Sequence, residues 1–135
     1  MSQSFHRPSD LELQILGVLW EHGSSTARDV LNAMPDGKDR AYTSILSVMQ
    51  VMRRKGLLEL APHRKKLAHV YAPAVTRSAV VGPVMRNLLQ RVFAGRPAQA
   101  VQQLLDEAEI SADELSEIRG FLDAVEDRTK EDRHA

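Results

Sequence analysis

Apolar residues recur three or four positions apart in six segments of this 135-residue chain, with polar residues between them. This spacing is typical of α-helices that bury one face. Ser9 with Glu12, and Ser111 with Glu114, also have the capping-box spacing that begins a helix. The pattern predicts helices at about residues 10–21, 27–34, 40–56, 77–94, 98–108 and 111–126.

Two short apolar runs, residues 57–61 and 68–72, lie between the third and fourth predicted helices. Each run has the length of a strand and is bounded by turn residues, so the pair predicts a β-hairpin. The basic tract between the runs predicts a mobile connecting loop of about six residues, longer than a tight turn. Three helices and a two-stranded hairpin are the arrangement of a winged helix-turn-helix, whose third helix enters the DNA major groove. We therefore predict a mostly α fold with a small β-hairpin wing (α+β) and further helices at the C-terminal end.

The third predicted helix has a buried stripe and an outer face of short polar residues. At about 100° per residue, the outer face lies directly opposite the stripe. Hydroxyl and amide side chains suit the edges of DNA bases, and a glutamine can bond adenine through two hydrogen bonds. An ordinary solvated exterior is the alternative interpretation. The stripe contains Ile45, Val48, Met49 and Met52, and the outer face contains Thr43, Ser47, Gln50 and Arg54.

The net charge of zero conceals a segregation of charge along the chain. Residues 1–76 carry a net charge of +3 and residues 77–135 carry −3. Residues 40–66 contain seven basic residues and a single acidic residue, Glu59. Such a basic segment indicates a nucleic-acid-binding surface, although a solvated face with salt bridges has the same composition. The predicted contacts to DNA phosphates are Arg53, Arg54, Lys55, Arg64, Lys65 and Lys66.

The helices after residue 76 have apolar stripes but little chain with which to cover them. About 59 residues with few aromatic side chains make a marginal independent domain. An interlocked homodimer would bury these stripes and would place two DNA-binding domains on a two-fold operator. Folding back onto the first three helices is the alternative. The predicted dimerisation residues are Val81, Val84, Met85, Leu88, Leu89, Val92, Leu115, Ile118 and Leu122.

The sequence lacks the common signatures of enzymes and metal proteins. There is no cysteine, and the five histidines do not have metal-ligand spacing on one helix. No nucleophile elbow or phosphate-cradling glycine loop occurs. We predict a protein that is not an enzyme and needs no cofactor. Because no apolar signal-peptide region or membrane-spanning run occurs, we expect it in the cytoplasm.

Three stretches resemble the penicillinase-repressor family, which includes the BlaI, MecI and CopY proteins. They are "DLELQILGVLWEHGSSTARDVLNAM", "DRAYTSILSVMQVMRRKGLLEL" and "HVYAP". The resemblance covers about residues 8–127 and is strongest up to Pro73. It implies a dimeric transcriptional repressor with a winged-helix domain at residues 1–75 and a helical dimerisation region at residues 76–127. Residues 128–135 would then be a polar, disordered tail.

The resemblance also implies roles for particular residues. In the family the early part of the recognition helix contacts bases, and the matching positions here are Thr43 and Ser44. With Ser47 and Gln50 from the exposed face, they complete the predicted base-reading set. Arg40 and Tyr42 lie at the start of the helix, where a backbone phosphate is expected.

Three departures from the family pattern concern DNA contact and regulation. Many members have Arg where this chain has Val51, so one DNA contact differs. The antibiotic-resistance repressors are inactivated by proteolysis at an Asn-Phe bond, in a response that involves a membrane sensor protease. The matching region here is Gln103 and Leu104. The cysteine-based metal site of the copper-responsive members is excluded.

The predicted function is therefore a sequence-specific repressor that binds double-stranded operator DNA as a homodimer. Relief by proteolysis or by another signal stays open. Two alternatives also stay open. One is a winged-helix module for protein–protein contact, whose basic patch meets an acidic partner. The other is a ligand-gated regulator with a pocket at the dimer interface.

Overall fold

The computed structural model describes residues 7–134; residues 1–6 and 135, which belong to the predicted first domain and tail, lie outside the described residues. The described chain divides into two compact units, one ending at Leu88 and the other beginning at Leu89. The order of elements confirms the predicted fold class. The helices are α1 (Asp10–His22), α2 (Ala27–Ala33), a 3₁₀ turn (Gly37–Asp39), α3 (Tyr42–Arg54), α4 (Arg77–Val92), α5 (Pro97–Glu107) and α6 (Ala112–His134), and the strands are β1 (Leu58–Lys65) and β2 (Ala68–Pro73).

Side-chain caps begin the first two helices, and the first is the one that Ser9 and Glu12 predict. The Ser9 hydroxyl accepts a hydrogen bond from the Glu12 amide at 3.1 Å, and the Glu12 carboxylate accepts one from the Ser9 amide at 2.9 Å. Thr26 and Asp29 form the same reciprocal pair at the start of α2. Each box satisfies two amides that a helix start leaves without partners. Gly23 follows α1 with a φ of +85° and a ψ of −170°, which is extended rather than left-handed helical.

The core of the first unit lies between α1, α2, α3 and the hairpin. Ile45, Met49 and Met52 are fully buried, which confirms three of the four residues of the predicted stripe, while Val48 is half-buried. They pack with apolar side chains from the other elements, and the packing fixes which face of α3 points to solvent. The other buried residues of the cluster are Ile15, Leu16, Leu19, Ala27, Val30, Leu31, Met34, Leu57, Leu58 and Tyr71.

The turn after α3 sets the direction in which the hairpin leaves the helix. Gly56 has a φ of +84°, the conformation that favours glycine at a helix end. The Leu57 amide donates to the Met52 carbonyl at 2.9 Å, and the Gly56 amide donates to the Arg53 carbonyl at 3.1 Å. These two bonds are those of a Schellman motif, and the buried side chains of Leu57 and Met52 complete it.

The hairpin is longer and its turn tighter than the sequence predicts. β1 continues through Lys65, which pairs with Ala68, so the six-residue loop is replaced by a two-residue turn at Lys66 and Leu67. Both turn residues have positive φ, as a two-residue hairpin turn requires. Between Leu60 and Arg64 the register shifts. The shift accommodates Pro62, whose nitrogen has no hydrogen to donate to a sheet ladder.

The helices of the C-terminal region differ from the predicted bounds mainly at the end of α6. In α4, Pro83 is the seventh residue and lies inside the helix. α6 does not end near residue 126 but continues to His134, through most of the predicted tail. A Lys130–Glu126 ion pair at 3.4 Å and good helix-forming residues account for this extension, because an exposed helix needs no apolar stripe.

Candidate nucleic-acid interface

The polar face of α3 is open to solvent on the side opposite the core. All four predicted base-reading residues are exposed, and two of them, Thr43 and Ser44, lie in the first turn of the helix. In helix-turn-helix proteins the first turns of the recognition helix reach the base edges. Val51, where the family resemblance predicts Arg, is half-buried beside this face. The base-reading role of Thr43, Ser44, Ser47 and Gln50 stays a prediction.

Three of the eight predicted phosphate-binding residues form ion pairs within the chain. Lys55 Nζ lies 2.9 Å from Glu12 Oε2, Lys65 Nζ lies 3.1 Å from Asp29, and Arg40 Nε lies 2.8 Å from Asp36. Within the described part of the chain, Arg53, Arg54, Arg64 and Lys66 form no such pair. These four cations are therefore the ones whose charge is free for an external anion. Tyr42 is half-buried at the start of α3.

Glu12 connects the start of α1 to the end of α3. Its side chain is only 7% exposed, and its two oxygens accept hydrogen bonds from the Ser9 amide and from Lys55. Burial alone would raise the pKa of Glu12, but these hydrogen bonds hold the pKa below its ordinary value. The carboxylate thus stays ionised at neutral pH and fixes Lys55 beside the last turn of the recognition helix.

Asp29 connects α2 to the wing in the same way, through an ion pair with Lys65. Both of its carboxylate oxygens lie 3.1 Å from Lys65 Nζ, while Oδ2 also accepts the Thr26 amide. The hydrogen bond from Lys65 is the main cause of a lowered pKa for Asp29, and the Thr26 amide adds to it. The outer part of β1 is thereby tied to the first turn of α2.

Sequence reasoning missed Arg28, which stacks on the start of the recognition helix. Its guanidinium lies 4.2 Å from the centroid of the Tyr42 ring, a cation–π distance. The side chain is exposed, and helices of this motif that precede the recognition helix cross the DNA backbone. Arg28 lies outside the basic segment at residues 40–66. Only its position on the second predicted helix could have indicated a role in DNA binding.

A polar groove lies between the last turns of α3 and strand β2, with a volume of about 530 Å³. Gln50, Arg53 and Arg54 line one side, and His69 and Tyr71 line the other. Burial raises the pKa of Tyr71 above its ordinary value, while the positive charge of Arg53 acts in the opposite direction. The sequence assigned His69 and Tyr71 no role in DNA binding, because residues two positions apart on a strand also fit the face of an ordinary hairpin.

Large apolar side chains are exposed on α4 and α6 in the single chain. Met85, Leu88, Val92 and Leu122 are each at least half exposed, and Leu115 is 38% exposed. The other predicted dimerisation residues, Val81, Val84, Leu89 and Ile118, are half-buried. Phe121, at 62% exposure, is an apolar residue of α6 that the sequence prediction left out. Dimerisation and the functional boundary at residue 75 both stay predictions.

The other predicted features concern α5, metals and membranes. Gln103 and Leu104 are exposed near the middle of α5, and their role as a cleavage region stays a prediction. Among the described residues, no group of three or more His, Asp or Glu side chains could hold a metal ion. No helix in residues 7–134 is long and apolar enough to cross a membrane.

The helices, the hairpin and the exposed face of α3 together define a winged helix-turn-helix protein. The penicillinase repressor family model matches residues 8–124, and the chain belongs to this family of transcriptional repressors. This confirms the resemblance seen in the sequence.

Individual relatives match most of the chain. The penicillinase repressor of Bacillus licheniformis is 24% identical over 91% of this chain and 94% of its own. The transcriptional regulator BlaI of Mycobacterium tuberculosis is 31% identical, with 89% and 86% covered. The methicillin resistance regulatory protein MecI of Staphylococcus aureus is 20% identical, with 90% and 98% covered. Among solved structures, monomeric B. licheniformis BlaI in complex with the blaP half-operator matches 57% of this chain and 92% of that one, at 23% identity and a TM-score of 0.45.

Proposed function

We propose that this protein is a sequence-specific repressor that binds a palindromic operator as a homodimer and blocks transcription in the cytoplasm, where the chromosome lies. The observation that carries the proposal is the composition of the solvent-facing side of α3. Hydroxyl and amide groups occupy its first turns, and Arg53 and Arg54, which form no ion pair in the described chain, follow them. Base-edge partners and phosphate partners are thus separated along one helix.

The wing supports the same assignment. Arg64 and Lys66 lie at its outer end without carboxylate partners in residues 7–133, while Asp29 ties Lys65 to α2. A hairpin held against the helix-turn-helix can follow the phosphate backbone beside the groove that α3 enters. These contacts would set the register of the protein on the duplex without reading its sequence.

The exposed apolar residues of α4 and α6 support the homodimer. Side chains such as Met85, Leu88 and Leu122 are costly to leave in water, and a second copy of the same helices offers matching surface. A two-fold dimer carries two recognition helices and therefore reads a two-fold operator. The relatives named BlaI and MecI are regulators, which agrees with this proposal.

Quantitative binding to upstream DNA tests this function. Fluorescence anisotropy at ~0.15 M salt should give an affinity for DNA upstream of the gene at least about 10³-fold higher than for random duplex. Affinity should also fall steeply with salt, because each neutralised phosphate releases counterions. Equal affinity for the two duplexes would refute the proposal. It would leave the protein–protein module and the ligand-gated regulator, which pull-down from lysate and a thermal-shift metabolite screen would then separate.

A further inference from the structure

The groove between α3 and β2 is lined mainly by side chains that can donate hydrogen bonds. It brings together two guanidinium groups, a phenol, an imidazole and an amide within about 530 Å³. The three α3 residues, Gln50, Arg53 and Arg54, are spaced at i, i+3 and i+4 and therefore share one helix face. The two β2 residues, His69 and Tyr71, are two positions apart and share one face of the strand.

Tyr71 is the groove residue that is buried, and backbone hydrogen bonds hold it to Ser25. Its amide donates to the Ser25 carbonyl at 2.8 Å, and its carbonyl accepts the Ser25 amide at 3.0 Å. The residue is 2% exposed, belongs to the hydrophobic core and also lines the groove. A phenol whose ring is packed in this way has little freedom left to lose on binding. The pKa of a tyrosine lies far above neutral pH and burial raises that of Tyr71 further, so the hydroxyl is a hydrogen-bond donor at neutral pH.

The charge of the groove is not neutralised by the part of the chain that the structure describes. Neither Arg53 nor Arg54 is paired with a carboxylate there, unlike Lys55 one residue further on. Two guanidiniums and an O–H donor match the oxygens of a phosphate group in charge and in hydrogen bonding. The site therefore suits an oxyanion.

The position of the groove along α3 indicates the source of that oxyanion. Arg53 follows Thr43 by ten residues, which is about 15 Å along a helix. The DNA major groove is about 12 Å wide, so a helix with its first turn at the base edges has its last turn at the backbone. The protein groove between α3 and β2 would then lie against a backbone phosphate at the edge of the DNA major groove.

We propose that Arg53, Arg54, His69 and Tyr71 form a clamp for one phosphodiester of the DNA backbone, in which the Tyr71 hydroxyl donates a hydrogen bond to a phosphate oxygen. This inference rests on the proposed function and adds a specific phosphate site to it. Arg53 and Arg54 supply the charge. Tyr71 supplies the fixed direction, and it connects the hydrophobic core to the DNA backbone.

The test combines protein variants with a set of operator duplexes, each carrying one neutral methylphosphonate in place of a phosphate. Tyr71→Phe should bind the unmodified operator about 3- to 10-fold more weakly with an unchanged salt slope, because it removes a hydrogen bond but no charge. Arg53→Gln should bind about 10-fold more weakly, with a slope smaller by about 0.9. Arg128→Gln, which removes one exposed charge from α6, serves as the matched control and should change neither quantity.

The methylphosphonate series identifies the contact itself. On the duplex that lacks the charge at the clamped position, Tyr71→Phe should bind as well as wild type, whereas on all other duplexes its deficit should persist. A deficit of equal size on every duplex would overturn the clamp. Far-UV circular dichroism and thermal unfolding of Tyr71→Phe verify the fold, and Arg54→Gln offers the same coupling test without touching the core.

Two further outcomes separate this proposal from others. If wild type does not prefer operator over random duplex, the proposed function fails, and the clamp fails with it. If wild type prefers operator but no methylphosphonate position couples to Tyr71→Phe or Arg54→Gln, only the clamp is overturned. Saturable binding of inorganic phosphate near His69 at constant ionic strength, combined with absent coupling, would instead make the groove a site for a small free anion.

Discussion

At the residue scale, the carboxylates that contact the basic segment determine which cations are free. Lys55 and Lys66 look alike in the sequence, yet Lys55 pairs with a buried carboxylate 43 residues away, and Lys66 has no such partner within residues 7–133. The contribution of a lysine to DNA binding therefore depends on its local partner as well as on its charge. Three predictions follow from individual side chains.

Thr43→Ala should relax sequence preference without weakening binding to random DNA. Loss of one hydroxyl contact to a base edge should lower the ratio of operator affinity to random-duplex affinity about 5-fold, which corresponds to ~1 kcal/mol. Anisotropy titrations with both duplexes measure the ratio. A proportional loss on both duplexes would contradict a base-reading role for Thr43.

Lys66→Ala should weaken binding to every duplex alike and reduce the salt slope by about 0.9, because the contact proposed for Lys66 is to phosphate alone. Lys65→Ala should reduce the slope less, since Asp29 already neutralises the Lys65 ammonium. The two salt series therefore serve as controls for each other. Equal slopes for the two variants would show that the Asp29 pair opens when DNA binds.

Glu12→Gln should remove an ion pair while preserving the helix cap, because glutamine also fits the capping box. Lys55 is about half exposed, so the expected loss is only about 0.5–1 kcal/mol in the free energy of unfolding. The folded pKa of Glu12 lies below its ordinary 4.5, so its contribution is present above pH 4.5 and is lost as the pH falls through the folded value. Urea unfolding at pH 7 and pH 3 should show the variant's deficit shrinking at the lower pH.

At the element scale, the helices were predictable because their apolar spacing and caps are local signals. Ser9 and Glu12 form the reciprocal bonds that their spacing indicates. The hairpin turn was not predictable in the same way. Lys66 and Leu67 adopt positive φ without the asparagine or glycine that marks such turns, and Pro62 hides the continuation of β1.

This turn leads to a prediction for the stability of the wing. Leu67 is 87% exposed at a φ of +69°, so its side chain contributes strain and little packing. Leu67→Gly should raise the free energy of unfolding by about 0.5 kcal/mol. The matched variant Leu67→Val should lower it, because a β-branched residue tolerates positive φ worst. Urea unfolding of both variants gives the comparison, and stabilisation by Val would contradict the turn geometry.

At the scale of the whole molecule, the candidate site was predictable only in part. The outer face of α3 follows from periodicity, and the family confirms what kind of protein carries it. The ion pairs of Lys55 and Lys65 join residues 43 and 36 positions apart, and the groove joins a helix to a strand, so neither could be read from local spacing. Those contacts depend on tertiary packing.

The dimer leads to a prediction at this scale. Leu88→Glu should convert the proposed dimer to a folded monomer of 15.1 kDa, because it places a charge in the apolar face of α4. Operator affinity should fall about 100-fold with the loss of the second DNA-binding domain. Gln90→Glu adds the same charge to α4 outside the stripe and should remain dimeric. Light scattering coupled to gel filtration measures the mass, and a wild-type monomer would contradict the proposal.

The measurement that tests the account most directly is a footprint of the wild-type protein on DNA upstream of its gene. At ~0.15 M salt, the account predicts protection of one palindromic segment, at concentrations about 10³-fold below those that cover random DNA. Thr43→Ala should reduce that margin about 5-fold, and Lys66→Ala should leave it unchanged. Uniform protection of all sequences at one concentration, or none at all, would contradict the central claim that α3 reads an operator.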